Sequence, residues 1–317
     1  MAERSKRINL HDPETIKKIN PETLKLFQKY QVDMSVRDLA QSTINGYNND
    51  LTQWFVFMHD NQFNLSVLEA DEDDLQEYYY WRKQQGNNVN RQKRVMSSIS
   101  AFYKFLRKKK FIKESPTEFL DRPKNGQPIV KQTFLTVEQV DLLRQKLTEY
   151  GDLQLKTYIF FGLSTMARVN AMSHLKWEQI DLDERMCHDV LEKENKIVTL
   201  YFSQEVSDLL RELKQYRTDN NINDYGWVFI TKYVNEDTCI SNSTLNEWCK
   251  RAGTMIGVPT LHDHDLRHSG SNILKELGMD VQDIAELLHH ESTETTVKHY
   301  LSVNKKKVKE NKDRFTF

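Results

Sequence analysis

Apolar residues recur along the first third of the chain at the three- and four-residue steps of a helix. Residues 43–58 (TINGYNNDLTQWFVFM) and 74–84 carry this spacing. Residues 88–110 place Val95, Ile99, Phe102 and Leu106 at steps of four, three and four, a single stripe to bury. The pattern stops after Leu120, where DRPKNGQPIVKQT holds two prolines, a glycine and no apolar period, which reads as a linker. Beyond it Thr136 is an N-cap candidate, with Glu138 in the first turn of a helix running to about Tyr150. A second helix is expected over 153–165, and a third from near Arg168. The β-branched run KENKIVTLYF makes 186–202 a small hairpin or sheet. From Ser203 onward the reading is again helical, apart from a strand-like 227–230. No repeat of fixed period is visible. The expected fold is mainly α with a small antiparallel β-sheet, in two parts: a helical N-terminal domain over 1–121, a linker over 122–133 and a second domain over 134–317.

Composition agrees with a folded chain of two domains. Of 317 residues, 38% are hydrophobic and 29% charged, with 15 Phe, 13 Tyr and 5 Trp, enough to fill cores. The longest apolar run, Tyr158 to Leu163, is far short of the ~20 residues of a membrane helix. The charged start MAERSKRINLHDPE has no apolar segment of secretory type, so a cytoplasmic location is expected. Cys187, Cys239 and Cys249 are widely spaced and odd in number, which suits reduced thiols and neither a disulfide frame nor a zinc site.

Charge changes the picture. The net charge of -1 hides segregation: residues 81–113 hold eleven Lys or Arg and no acid, while 69–77 (EADEDDLQE) is strongly acidic. Around the buried stripe of 88–110 lie Arg91, Lys93, Arg94, Lys104, Arg107 and Lys108. Ordinary surfaces mix signs, so this face is expected to contact the phosphates of duplex DNA, with Arg91 and Arg94 closest to base edges. A solvated helix face is the plain alternative.

The last sixty residues carry the densest chemistry. Six of the ten histidines lie between His262 and His299. His264-Asp265-Leu266-Arg267-His268 opens a helix, on which His264 and Arg267, three apart, share a face. Then comes LLHHESTETTVKHY, with His290 and, ten residues later, Tyr300. Taken singly these residues have blander readings: Tyr300 a packing aromatic, Lys193 an exposed lysine with Lys196 as rival, Arg168 a surface ion-pair partner. His264 and His268 are four apart, but the glutamate of HExxH and a third ligand are missing, so no metal is expected.

The order Arg168, Lys193, His264 with Arg267, His290, Tyr300 resembles that of the tyrosine recombinases, the phage-integrase family. The threonine pair Thr295 and Thr296 shortly before the tyrosine also resembles the family, and Leu175, Trp177, Ile180 and Asp181 of the first arginine motif fall in register. The resemblance covers about residues 15–305. It implies a helical core-binding domain joined to a catalytic-type domain, and double-stranded DNA with specific sites as partner. It further implies self-association on DNA as a dimer or tetramer, and chemistry without metal, ATP or other cofactor. Arg168, Arg267 and His290 would then hold the scissile phosphate, His264 would take the tyrosine proton, Lys193 would protonate the leaving oxygen and Tyr300 would be the nucleophile. The tail over 304–317 would pack on a neighbouring subunit.

Three departures from the family pattern bear on activity. Met166 and Ala171 stand where a glycine and a buttressing glutamate are usual, so Arg168 is expected to be less firmly oriented. His289 replaces a glycine where backbone fits closely. The hairpin reads EKENK, placing acids around Lys193 that would raise its pKa and repel DNA. These changes leave a second expectation open: a catalytically silent integrase-fold regulator, a phage repressor similar to the integrase-fold repressors of SPbeta-type Bacillus phages.

Overall fold

The computed structural model describes residues 13–124, 134–192 and 196–290. The chain divides into two compact units, Met1–Lys131 and Gln132–Phe317. The expected linker over 122–133 lies largely outside the described residues, as do Lys193, Thr295, Thr296, Tyr300 and the 304–317 tail.

The N-terminal unit is helical: α1 Pro13–Lys18, α2 Pro21–Val36, α3 Gln41–Asn61, α4 Glu72–Gln84 and α5 Val89–Lys108. Local chemistry sets the starts. Pro21 supplies a helical φ in the first turn of α2, while Asn20 Oδ1 accepts from the Glu22 N–H at 2.9 Å. Asp71 and Asp74 form a reciprocal capping box on α4, and Asn88 caps α5. The α5 stripe of Val95, Ile99, Phe102 and Leu106 is fully buried, against Tyr30, Trp54 and Phe55 of α2 and α3. Ring centroids lie 5.3 Å apart for Tyr30 and Phe102 and 5.6 Å apart for Trp54 and Tyr103. Burying each such side chain contributes roughly 1.5–3 kcal/mol, so the aromatic core is the main stabilising feature of this unit.

The C-terminal unit contains α6 Val137–Tyr150, α7 Leu153–Thr165, α8 Val169–Ser173, β1 Ile180–Asp181, β2 Met186–Leu191, β3 Ile197–Tyr201, α9 Gln204–Asp219, α10 Asn242–Met255, α11 Asp263–Glu276 and α12 Val281–Leu287. The apolar run 158–163 is the heart of α7, which α6, α9, α10 and α11 pack around. Close approach of α7 and α11 depends on glycine. A Cβ on Gly270 would sit 2.3 Å from the Leu163 carbonyl oxygen, so no larger residue fits without moving a helix. The three strands form an antiparallel sheet in the order β1-β2-β3, with Leu191 opposite Ile197 at the hairpin end and a bulge between Cys187 and Val190.

The strand-like 227–230 is a correction. Apart from one bridge from Trp227 to Lys176, it makes no ladder. The carbonyls of Trp227 and Val228 accept instead from the buried Arg217 guanidinium at 3.0 and 2.7 Å, which leaves them unavailable to a neighbouring strand. Among the described residues no helix is long and apolar enough to cross a membrane. Cys187 and Cys249 are buried, and loss of hydration pushes the Cys187 thiol up to about 12.

Candidate active site

Four of the six expected catalytic positions fall on described residues: Arg168, His264, Arg267 and His290. Arg168 is the N-cap of the short α8. It follows Met166, which ends α7 in the left-handed region at φ 54°. His264 and Arg267 lie in the first turns of α11. His290 follows α12, just after His289, which is again left-handed at φ 52°. Met166 and His289 are the two positions where the sequence departs from an expected glycine. The backbone keeps the glycine-like conformation at both, at a cost on the order of 1 kcal/mol each.

Those left-handed turns matter because of Arg267, which is 1% exposed. Its Nη1 donates to the Met166 carbonyl and its Nη2 to the Leu288 carbonyl, each at 2.5 Å. The ends of α7 and α12 therefore fix one guanidinium from two sides. Arg267 Nη2 also lies 3.3 Å from His290 Nε2, which can only accept from it, so the His290 proton belongs on Nδ1. Carbonyls and an imidazole orient an arginine without cancelling its charge.

The field of that charge is visible on its neighbours. His264 reaches solvent, yet partial burial pushes its pKa down to about 4, with Arg267, His262 and Arg168 adding repulsion. His264 is neutral near pH 7 and able to accept a proton. Its ring meets His268 edge to face at 4.6 Å, a packing contact. Burial likewise lowers the His289 pKa; the bond to the Thr199 carbonyl opposes this, and repulsion from Arg267 and Arg168 adds to it. Arg168, Arg267 and His264 thus share one positive local field, and Arg267 touches His290.

Arg168 brings in a residue that the sequence reading misjudged. Its Nη1 donates to Oε2 of Glu192, whose side chain is 1% exposed against 30% for Arg168. Ala171 therefore does not leave Arg168 without a carboxylate, as its sequence suggested. Nor is Glu192 an exposed acid able to repel DNA, since it is buried beneath the arginine. His289 joins this group: Nε2 donates to the Thr199 carbonyl at 3.1 Å, and Nδ1 lies 3.7 Å from Glu192 Oε2. The only signal in the sequence was an acid immediately before the hairpin lysine.

The basic helix also differs from its sequence reading. Arg82, one of the eleven cations of 81–113, is buried and donates to Gln53, Asn87 and Tyr78. Arg91 donates to the fully buried Asp50, which also accepts from Ser98 at 2.8 Å and lies 3.9 Å from Arg94 Nε. Arg107 pairs with Glu118 at 3.0 Å. Lys93 is half-buried, whereas Lys104 and Lys108 are exposed. Acids outside the 81–113 stretch thus neutralise part of its charge.

Comparison with known proteins decides the family. Residues 96–307 match the model of the phage integrase family, and residues 25–110 match the N-terminal SAM-like domain of phage integrases. The chain belongs to the phage integrase family. Among its relatives is the tyrosine recombinase XerC of Leptospira interrogans serogroup Icterohaemorrhagiae serovar copenhageni, 28% identical over 278 residues, which are 86% of this chain and 87% of that protein. The XerC of Pediococcus pentosaceus is 25% identical over 302 residues, 91% of this integrase-family chain and 96% of the relative. In fold, the chain is similar to the XerH recombinase bound to a palindromic difH substrate, with a TM-score of 0.71 at 16% identity, covering 90% of this chain and 83% of that one. It is also similar to a lambda integrase dimer bound to a COC′ core site, with a TM-score of 0.67 at 16% identity and coverage of 92% and 81%. The mainly α fold with its small antiparallel sheet is the fold of this family.

Proposed function

We propose that this protein is a site-specific tyrosine recombinase that cleaves and rejoins duplex DNA through a 3′-phosphotyrosine link. The observation that carries the reading is that Arg168, Arg267, His264 and His290, drawn from three stretches of sequence, come together: Arg267 lies beside His290, and the charges of Arg267 and Arg168 act on His264. Tyr300 attacks the scissile phosphorus: the new P–O bond to Tyr300 forms as the bond to the 5′-oxygen breaks. His264, kept neutral, takes the phenolic proton, and Lys193 gives one to the leaving oxygen. Ionising a tyrosine of pKa about 10 near pH 7 costs on the order of 4 kcal/mol, which fixed cations around the phosphate must offset. Arg168 and Arg267 meet the charge of the phosphorane, and His290 adds a donor. The bond energy stays in the phosphotyrosine, so the reaction needs no cofactor.

The N-terminal unit is assigned to DNA through α5, with Arg91, Lys93, Arg94, Lys104, Arg107 and Lys108. Similar structures, a lambda integrase dimer on a core site and a tetramer on a Holliday junction, support assembly on the target DNA, and the assembly is assigned to the cytoplasm. The alternative of a catalytically silent regulator is not favoured. It rested on the loss of two glycines and a glutamate and on the acids of the hairpin; the left-handed Met166 and His289 and the buried Glu192 beside Arg168 weigh against it, while Glu194 lies outside the described residues.

A duplex selected by the protein from a random pool, then nicked beside the cleavage position, tests the proposal. A covalent adduct that survives SDS and is absent in Tyr300→Phe is expected. Tight binding without adduct would overturn cleavage and return the regulator.

A further inference from the structure

We infer that Glu192 is a positioning residue of the active site: it aims Arg168 at the phosphate and ties that arginine to the base of the hairpin that carries Lys193. The inference rests on the recombinase reading above and adds to it a residue outside the family's catalytic order.

Three observations support it. The first is burial. Glu192 is 1% exposed in its side chain while Arg168 keeps 30%, so the carboxylate lies on the protected side of the guanidinium. The open side remains for an anion, and Glu192 is not a plug occupying the place of the phosphate.

The second is location. Glu192 directly follows β2 and precedes Lys193 in sequence, and its N–H donates to the Lys196 carbonyl at 2.8 Å, which joins the β2 and β3 ends of the hairpin. One ion pair therefore joins the segment before α8 to the base of the hairpin. Displacement of either should be felt by the other.

The third is poor satisfaction. Oε2 accepts from Arg168, but Oε1 is buried with no hydrogen-bond donor among the described residues. A buried, half-satisfied carboxylate destabilises a fold, so stability alone does not account for an acid at this position. Orientation of Arg168 does. Ala171, one helical turn along from Arg168, has no group to do so. The carboxylate has in effect been moved from α8 to the hairpin.

The test compares the wild-type protein with Glu192→Gln, Arg168→Ala and the double variant, on the selected nicked duplex. Adduct formation is measured beside equilibrium binding of the uncleaved duplex. Glu192→Gln should slow adduct formation by about ten- to a hundredfold with binding little changed. The double variant should be no slower than Arg168→Ala alone, because Glu192 acts through that arginine. A second readout needs no DNA: the ¹⁵N guanidinium signals of Arg168, identified by their loss in Arg168→Lys. Hindered rotation should keep these signals separate in the wild type, and they should merge in Glu192→Gln. Unchanged signals, unchanged cleavage or an additive double variant would each overturn the inference. If the wild type forms no adduct, the recombinase reading falls on its own, and the Arg168 signals still decide whether Glu192 holds the arginine.

Discussion

Both units use the same device, a carboxylate shielded from water beneath an arginine that reaches the surface, but they use it differently. In the N-terminal unit Asp50 holds Arg91, and both its oxygens are engaged, one by Arg91 and one by Ser98, with Arg94 close by. That carboxylate ties α3 to α5 and takes positive charge out of play. In the C-terminal unit Glu192 engages Arg168 through one oxygen only, while Arg267 alongside is held by carbonyls that leave its charge intact. The first arrangement is fully satisfied and structural. The second is half-satisfied among the described residues and lies near Arg267 and His264, a grouping of basic side chains that suits a site for an anion.

The largest expected effect comes from Arg267→Ala, which removes the guanidinium bridging the ends of α7 and α12. Urea unfolding should show a loss of about 4 kcal/mol in the C-terminal unit, with adduct formation abolished. A stable, fully active variant would contradict the placement of Arg267 at the centre of the site. Next in size, Asp50→Ala should destabilise the N-terminal unit by about 2–3 kcal/mol by leaving Arg91 without its partner. Glu192→Gln should cost far less stability than this. Equal losses would erase the distinction between the two carboxylates.

A smaller effect is expected on DNA affinity. Replacing Lys104 and Lys108 together by Ala should lower the slope of log K against log salt by about 2. Arg91→Ala should act mainly through stability, since Asp50 already holds that side chain. A salt slope that falls for Arg91 and not for the lysines would reverse this assignment. The smallest effect concerns pH. His264 has its folded pKa near 4, below the ordinary 6.5, so the unfolded chain binds more protons between these values. Stability should therefore fall as pH drops from 6.5 towards 4, and His264→Gln should flatten this dependence in thermal melts. His289, whose pKa is also lowered, is unchanged in that variant and contributes to the residual slope. A melt indifferent to the substitution would remove the partly desolvated, repelled state of His264.

Much of the fold could be read from local patterns. The α5 stripe, the Thr136 cap, the apolar α7 and the hairpin follow from periodicity and capping, which are properties of neighbouring residues. The strand-like 227–230 misled because its composition suited a strand, while a distant side chain, Arg217, takes its carbonyls. Glu192 was misread for a related reason: beside a lysine an acid looks like surface charge, and only packing shows it buried against an arginine 24 positions away.

The sequence by itself determined the helical periodicity, the caps, the order of chemical groups along the chain and the resemblance they carry, since each depends on residue identity and short-range spacing. Tertiary structure alone decided which charges survive. Asp50, Glu118 and Glu192 silence or aim particular arginines, and the carbonyls of Met166 and Leu288 orient another without neutralising it. The strength of a charge depends on burial and on partners brought together by folding, and neither is written in linear order.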